Sequence, residues 1–162
     1  MKVVSNSGPL IALAKVEKLH VLRELFGKVF IPQAVWIEVV ERGKGKPGSE
    51  EVASAEWIEV VEVRDKLGVE ILRGEIEVGE AETIVLAKEL NADLLLLDEK
   101  IPRIIAKSLG LNVTGSLAIL FLAWKRGLIA DNLDDLLDEL KSKGVYFSEE
   151  VVDALKGKYA KT

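Results

Sequence analysis

The 162-residue sequence has no cysteine and a single histidine, His20. The first absence excludes disulfides, thiolate zinc sites and a cysteine nucleophile, and it suits a reducing compartment. The second excludes a multi-histidine metal centre, so a metal held by this chain would take oxygen ligands, which favours Mg²⁺ or Mn²⁺. Long apolar runs are lacking too. The longest outside the expected strands, Leu117 to Trp124, falls far short of the ~20 residues that span a bilayer. No basic segment leading into an apolar stretch and a cleavage site opens the chain. A cytoplasmic protein with no membrane association is expected. Basic residues are the minority, 22 against 27 acidic, and the net charge of -5 argues against a broad nucleic-acid-binding surface. A local basic rim around an acidic pocket remains compatible with it.

What is present is the composition of a compact protein, 49% hydrophobic and 30% charged, long enough for one domain over residues 1–162 with a real core. The most informative stretch is Leu94 to Lys100, LLLLDEK, where four leucines stop at Asp98. A short all-apolar run predicts a strand buried on both faces, as in a parallel sheet covered by helices. Ligands of such sheets bind beyond the carboxyl ends of the strands, which is where Asp98 falls. Val3 to Ser5 stops the same way at Asn6. The segment opening with GEAE puts Glu80 and Glu82 in a helix's first turn. If the two strands are parallel neighbours, these oxygen-bearing side chains converge on one edge of the sheet.

In chain order, SNSGPL turns into a helix carrying Leu10, Leu13 and Ala14, and an amphipathic run from Leu19 to Phe26 contains His20. Lys28 to Ile31 predicts a strand, and Pro32 opens a helix to about Glu41, with Val35, Trp36, Val39 and Val40 inward and Glu38 on the other side. GKGKPG, residues 43–48, matches the dinucleotide fingerprint in form only, because it follows a helix and carries a proline where the phosphate-binding helix should begin. Trp57 to Val63 predicts an edge strand. Residues 65–78 are indistinct, a helix and turn bordering the pocket. A helix follows over Gly79 to Leu90, where the dipole alone accounts for Glu80 and Glu82. Ile101 to Leu109 predicts a helix that Asp98 could cap, with Lys100, Arg103 and Lys107 on one face. Ser116 is placed to cap a helix running to Arg126, and two more helices follow, the last capped by Ser148. The order of elements is that of a three-layer α/β/α sandwich, an α/β fold with a central, mainly parallel sheet.

Laid out in this way, VVSNSGPLIALAK, IPQAVWIEVV, GEAETIVLAKELNADLLLLDEK and TGSLAILFLAWKRGL resemble the PIN-domain family over nearly the whole chain. Within it, they are similar to a prokaryotic subgroup related to the toxins of toxin–antitoxin pairs. The resemblance implies a metal-dependent ribonuclease holding Mg²⁺ or Mn²⁺ on acidic residues from separate segments, with RNA as substrate and an antitoxin protein and a second copy of the chain as partners. It maps the metal and catalytic positions to Asn6, Glu38, Glu80 and Asp98, and the polar lining of the pocket to Ser7 and Ser116. Lys100 and Arg103 are further candidates for steering phosphate. One departure stands out: the family usually has aspartate where this chain has Asn6. An asparagine carbonyl coordinates but removes one of four negative charges, which weakens binding of a hard cation.

Two function classes therefore stay open. One is metal-assisted hydrolysis of RNA. The other is a non-catalytic RNA-binding or partner-binding protein that kept the scaffold without the first carboxylate. A phosphatase or phospho-receiver would want a carboxylate directly after the first strand, where this chain has Asn6. The apolar run Leu117 to Leu122, with Trp36 and Trp124, predicts more hydrophobic surface than the domain hides, and hence a homodimer.

Overall fold

The computed structural model describes residues 1–160, so the last two residues of the expected 1–162 domain lie outside the described residues. Five strands, β1 (Val3–Ser5), β2 (Val29–Pro32), β3 (Ile58–Val61), β4 (Leu94–Leu96) and β5 (Val113–Thr114), form one sheet in the order β3-β2-β1-β4-β5. Every pair is parallel, and β1 and β4 are neighbours with Val4 opposite Leu95 and Ser5 opposite Leu96. Parallel strands need crossovers, and helices supply them. These are α1 (Ser7–Lys15), α2 (Val21–Phe26), α3 (Gln33–Trp36), α4 (Ser49–Ser54), α5 (Lys66–Leu72), α6 (Val78–Glu89), α7 (Lys100–Ser108), α8 (Ser116–Lys125), α9 (Leu133–Ser142) and α10 (Glu149–Lys158). A π-helical turn, Ile37–Glu41, continues α3.

The pleat divides the strand side chains between two cores, since successive residues point to opposite faces. Val3 and Leu96 join Leu10, Leu22, Leu120, Phe121 and Leu136 on the side of α1, α2, α8 and α9. Val4, Leu95 and Leu97 join Val69, Ile84, Leu86 and Ala106 on the side of α5, α6 and α7. Helices on both faces of one parallel sheet are the expected three-layer sandwich.

Several local expectations shift. Pro32 ends β2 in an extended conformation (φ -77°, ψ 165°) and occupies the N-cap, so the helix begins one residue later, at Gln33. The indistinct segment contains α5, whose N-cap Asp65 accepts a hydrogen bond from the Gly68 N–H at 2.9 Å. GKGKPG is a tight connection with Gly45 and Gly48 at positive φ (82° and 98°), leading out of the π-helical turn and not out of a strand, so nothing there forms a nucleotide cradle. Among the described residues, the surplus hydrophobic surface expected along α8 and at Trp36 and Trp124 is not found. Leu117, Ile119, Leu120, Phe121 and Ala123 are buried inside the chain, where α8 packs against α1, α2 and α10, and Trp36 and Trp124 lie half-buried on the same core. A helix apolar on every side is a core helix, and this chain's own helices cover it. Among the described residues no helix is long and apolar enough to cross a membrane.

Candidate functional site

The ends of β1 and β4 are tied together by a hydrogen bond from the Asn6 N–H to the Leu96 carbonyl (3.0 Å), and the chain beyond each supplies one polar side chain. Asn6 occupies the N-cap of α1, yet its side chain makes no capping hydrogen bond. An asparagine there would ordinarily fold back on the first turn. It is instead 6% exposed, with its Oδ1 accepting from the Thr83 hydroxyl at 3.3 Å.

Glu38 comes from the π-helical turn after α3, a distortion frequent at functional sites. Its Oε2 accepts from the Ser7 hydroxyl at 2.8 Å. It passes close over Gly79, where a Cβ would lie 3.2 Å from Glu38 Oε2 and 3.8 Å from Asn6 Oδ1. Glycine at 79 thus lets α6 approach both groups. Glu80 is the next residue of α6, and its Oε1 closes a capping box on the Glu77 N–H at 3.1 Å. Burial raises the Glu80 pKa above the ordinary 4.5; the bond from Glu77 N–H opposes this, and the charges of Glu77, Glu99 and Glu38 add to the rise.

Asp98 caps a helix, though not α7. Its Oδ1 accepts from the Ser116 N–H (2.8 Å) and its Oδ2 from the Ser116 hydroxyl (3.0 Å), so it holds the first turn of α8. Ser116 was expected to be the cap and is the capped residue, with Gly115 at the N-cap. Asp98 is exposed as a residue, but its carboxyl lies close beneath two glycines: a Cβ on Gly115 would meet Oδ1 at 2.8 Å and one on Gly8 would meet Oδ2 at 3.6 Å. Burial raises the Asp98 pKa above 3.8, against the two Ser116 bonds and the Arg103 charge, which lower it.

Asn6, Ser7, Glu38, Glu80, Asp98 and Lys100 all line one cleft of about 730 Å³, beside the N-termini of α1 and α7. Ser116, expected in the polar lining, and Arg103, expected to steer phosphate, are not among the residues lining this cleft. Ser116 backs Asp98, and Arg103 Nη1 donates to the Leu97 carbonyl at 2.9 Å, which steadies the chain just before Asp98. The opposite wall, residues 73–77, went unread as lining in any residue-specific way, since only its position between two helices marks it. It brings Arg73, Glu75 and Glu77. Six carboxylates, those of Glu38, Glu75, Glu77, Glu80, Asp98 and Glu99, therefore face two cations, Arg73 and Lys100, in the lining.

The donors are oxygens throughout, which suits a hard cation. Among the described residues no three or more His, Cys, Asp or Glu side chains converge tightly enough to hold a metal ion by themselves. Mg²⁺ sites commonly use only one or two carboxylates, completed by waters and substrate phosphates. Glu38 and Glu80, near enough for their charges to repel, with the Asn6 amide beside Glu38 across Gly79, fit such a partial set. They do not form a closed cage.

A family model described as a PIN domain matches residues 2–160. No curated protein matches the chain.

Proposed function

Because the chain belongs to the PIN-domain family, a nuclease-like fold, we propose that it is a metal-dependent ribonuclease acting in the cleft at the carboxyl ends of β1 and β4. The observation that carries this reading is the gathering of Asn6, Glu38, Glu80 and Asp98, from four separate segments, along that one cleft. Glu38 and Glu80, with the Asn6 carbonyl, would hold Mg²⁺ or Mn²⁺ as a partial set completed by waters and substrate phosphate, with Asp98 on the same cleft. Such an ion, when bound, supplies Lewis-acid chemistry at a phosphodiester.

The chain's own residues do the rest. Ser7 keeps Glu38 Oε2 in place, and Ser116 keeps both oxygens of Asp98 in place. Lys100, exposed on the rim, and Arg73, on the facing wall, attract phosphate, and the N-termini of α1 and α7 add their partial positive charge. The six lining carboxylates repel an RNA backbone, so productive binding requires that a cation enter with the substrate. A toxin role and an antitoxin partner rest on the family alone, and a homodimer rests on the same footing now that α8 is covered.

A second reading has its own observation. Asn6 stands in the aspartate position, and without that charge the pocket serves a scaffold that binds RNA or protein and does not cut. The test is incubation of labelled single-stranded RNA with the protein and with Asp98→Asn, each with and without Mn²⁺. Cleavage that needs both the ion and Asp98 supports the nuclease. Cleavage that persists undiminished in the variant sinks the assignment of Asp98, and no cleavage by folded wild-type protein favours the scaffold.

A further inference from the structure

Glu82 is the fifth residue of α6, two beyond Glu80, and does not line the cleft. Contrary to expectation, the dipole of its own helix does not explain it: α6 starts at Val78, so Glu82 lies past the first turn, within which that effect fades. Its side chain reaches across to α3, where Oε1 accepts from the Ala34 N–H at 3.1 Å. Both groups are half-buried, so the bond is partly shielded from water.

The recipient is a helix in need of an anchor. α3 opens behind Pro32, which has no side-chain group to offer, and no side chain caps it locally. Its first N–H groups have no partners within the helix. It is one turn long before it passes into the π-helical turn that carries Glu38. So short a segment has little hydrogen-bonded ladder of its own to set where Glu38 emerges, four residues after Ala34. The Glu38 carboxylate nevertheless has a defined place: its Oε2 accepts from the Ser7 hydroxyl at 2.8 Å and lies over Gly79, where no Cβ intervenes.

We propose that Glu82 is a positioning residue for Glu38, fixing the start of α3 through the Ala34 N–H so that the π-helical turn delivers the Glu38 carboxylate between Ser7 and Gly79. α6 then orients the site three times: Gly79 leaves room, Glu80 faces the cleft, and Glu82 anchors the helix that brings Glu38. The consequence for metal binding rests on the nuclease reading above; the anchoring itself does not.

The test compares backbone amide exchange by NMR in the wild type, Glu82→Ala and Glu82→Gln, with thermal unfolding confirming that each variant is folded. Glu82→Ala is expected to exchange about tenfold faster at Ala34 and through residues 37–41, with the second half of α6 unchanged, because local opening reports local anchoring. Glu82→Gln keeps an oxygen acceptor and stays near wild type. Equal protection in all three proteins overturns the proposal. The second readout is Mn²⁺ affinity. Glu82→Ala weakens it severalfold, and the loss disappears in a Glu38→Gln background, since residues acting through one another are not additive. A loss of the same size in that background also overturns the proposal. If the wild-type protein neither binds Mn²⁺ nor cuts RNA, the nuclease reading falls, and the exchange comparison alone decides the role of Glu82.

Discussion

Thr83 holds Asn6 with a hydroxyl that is already engaged: its oxygen lies 2.6 Å from the Gly79 carbonyl and 3.3 Å from Asn6 Oδ1, and it has one proton for the two. A carboxylate at position 6 would draw that proton more strongly than an amide does. The Gly79 carbonyl can release it, since it sits within α6 and keeps the helical N–H four residues on. Asn6→Asp is therefore accommodated without rebuilding the site, and it restores a negative ligand. Mn²⁺ affinity should rise roughly tenfold or more, as it follows ligand charge, while the metal-free protein melts at a lower temperature because another charge joins Glu38 and Glu80. Metal titration together with melting in chelator checks both. Unchanged affinity would mean that the cleft is not a cation site.

Gly79 separates stability from function in the opposite sense. Alanine is favoured over glycine inside a helix by about 1 kcal/mol, and Gly79 has no positive φ to protect. Its Cβ would stand 3.2 Å from Glu38 Oε2, the far end of a flexible side chain that can swing away. Gly79→Ala should keep or raise the thermal midpoint and yet weaken Mn²⁺ binding and RNA cleavage. A variant that loses stability and activity in parallel would show that the close approach serves packing alone.

Asp98 supports a fold prediction with a pH dependence. Asp98→Ala removes the group that holds the first turn of α8 and should cost about 1 kcal/mol, the usual worth of a cap. Asp98→Asn keeps an oxygen for the Ser116 N–H and should cost less. Because burial raises the Asp98 pKa above 3.8, the folded protein favours the protonated acid. In the metal-free wild type, stability is gained as pH falls through the raised value, and the gain is complete below the ordinary one. Asparagine does not titrate there. The difference between wild type and Asp98→Asn should move in favour of wild type as pH falls from neutrality, read by urea unfolding in chelator. A difference that stays flat or moves the other way would show the carboxyl to be no more costly to ionise folded than unfolded.

The sheet was readable because its signal is one-dimensional. Four leucines ending at Asp98 can be little but a strand buried on both faces, and β4 is such a strand, paired with β1 so that Asn6 and Asp98 leave the same edge. Glu38 was not readable from composition, since a mid-helix glutamate is ordinarily solvated; only the family resemblance pointed to it, and the structure turns it towards Ser7. The partners of side chains were hidden for a different reason. Whether Ser116 caps a helix or is capped depends on which strand end lies beside it. The same holds for Glu82, whose bond to Ala34 spans 48 residues. Local spacing predicts faces of helices, and tertiary contact decides what each face meets. The hydrophobic run of α8 shows the same limit: its length was plain, but α1, α2 and α10 as its cover were not.

Lys100 and Arg103 look equivalent on the helix, three residues apart on a basic face, but the structure gives them different work. Lys100 is exposed in the cleft lining without a salt-bridge partner among the described residues. Arg103 is half-buried, outside the lining, with its guanidinium on the Leu97 carbonyl. A phosphate contact by Lys100 adds to the number of counterions released on binding, so Lys100→Ala should raise the KM for RNA and reduce the slope of log affinity against log salt by about 0.7. Stability should be unchanged. Arg103→Ala should leave that slope alone. It frees the Leu97 carbonyl, removes the charge that lowers the Asp98 pKa, and lets the carboxyl drift from Ser116, so kcat and the thermal midpoint fall together. Salt titrations of RNA binding and thermal melts on the two variants decide the matter. An equal loss of salt slope in both would return Arg103 to the RNA-binding surface, and a normal slope in Lys100→Ala would remove Lys100 from it.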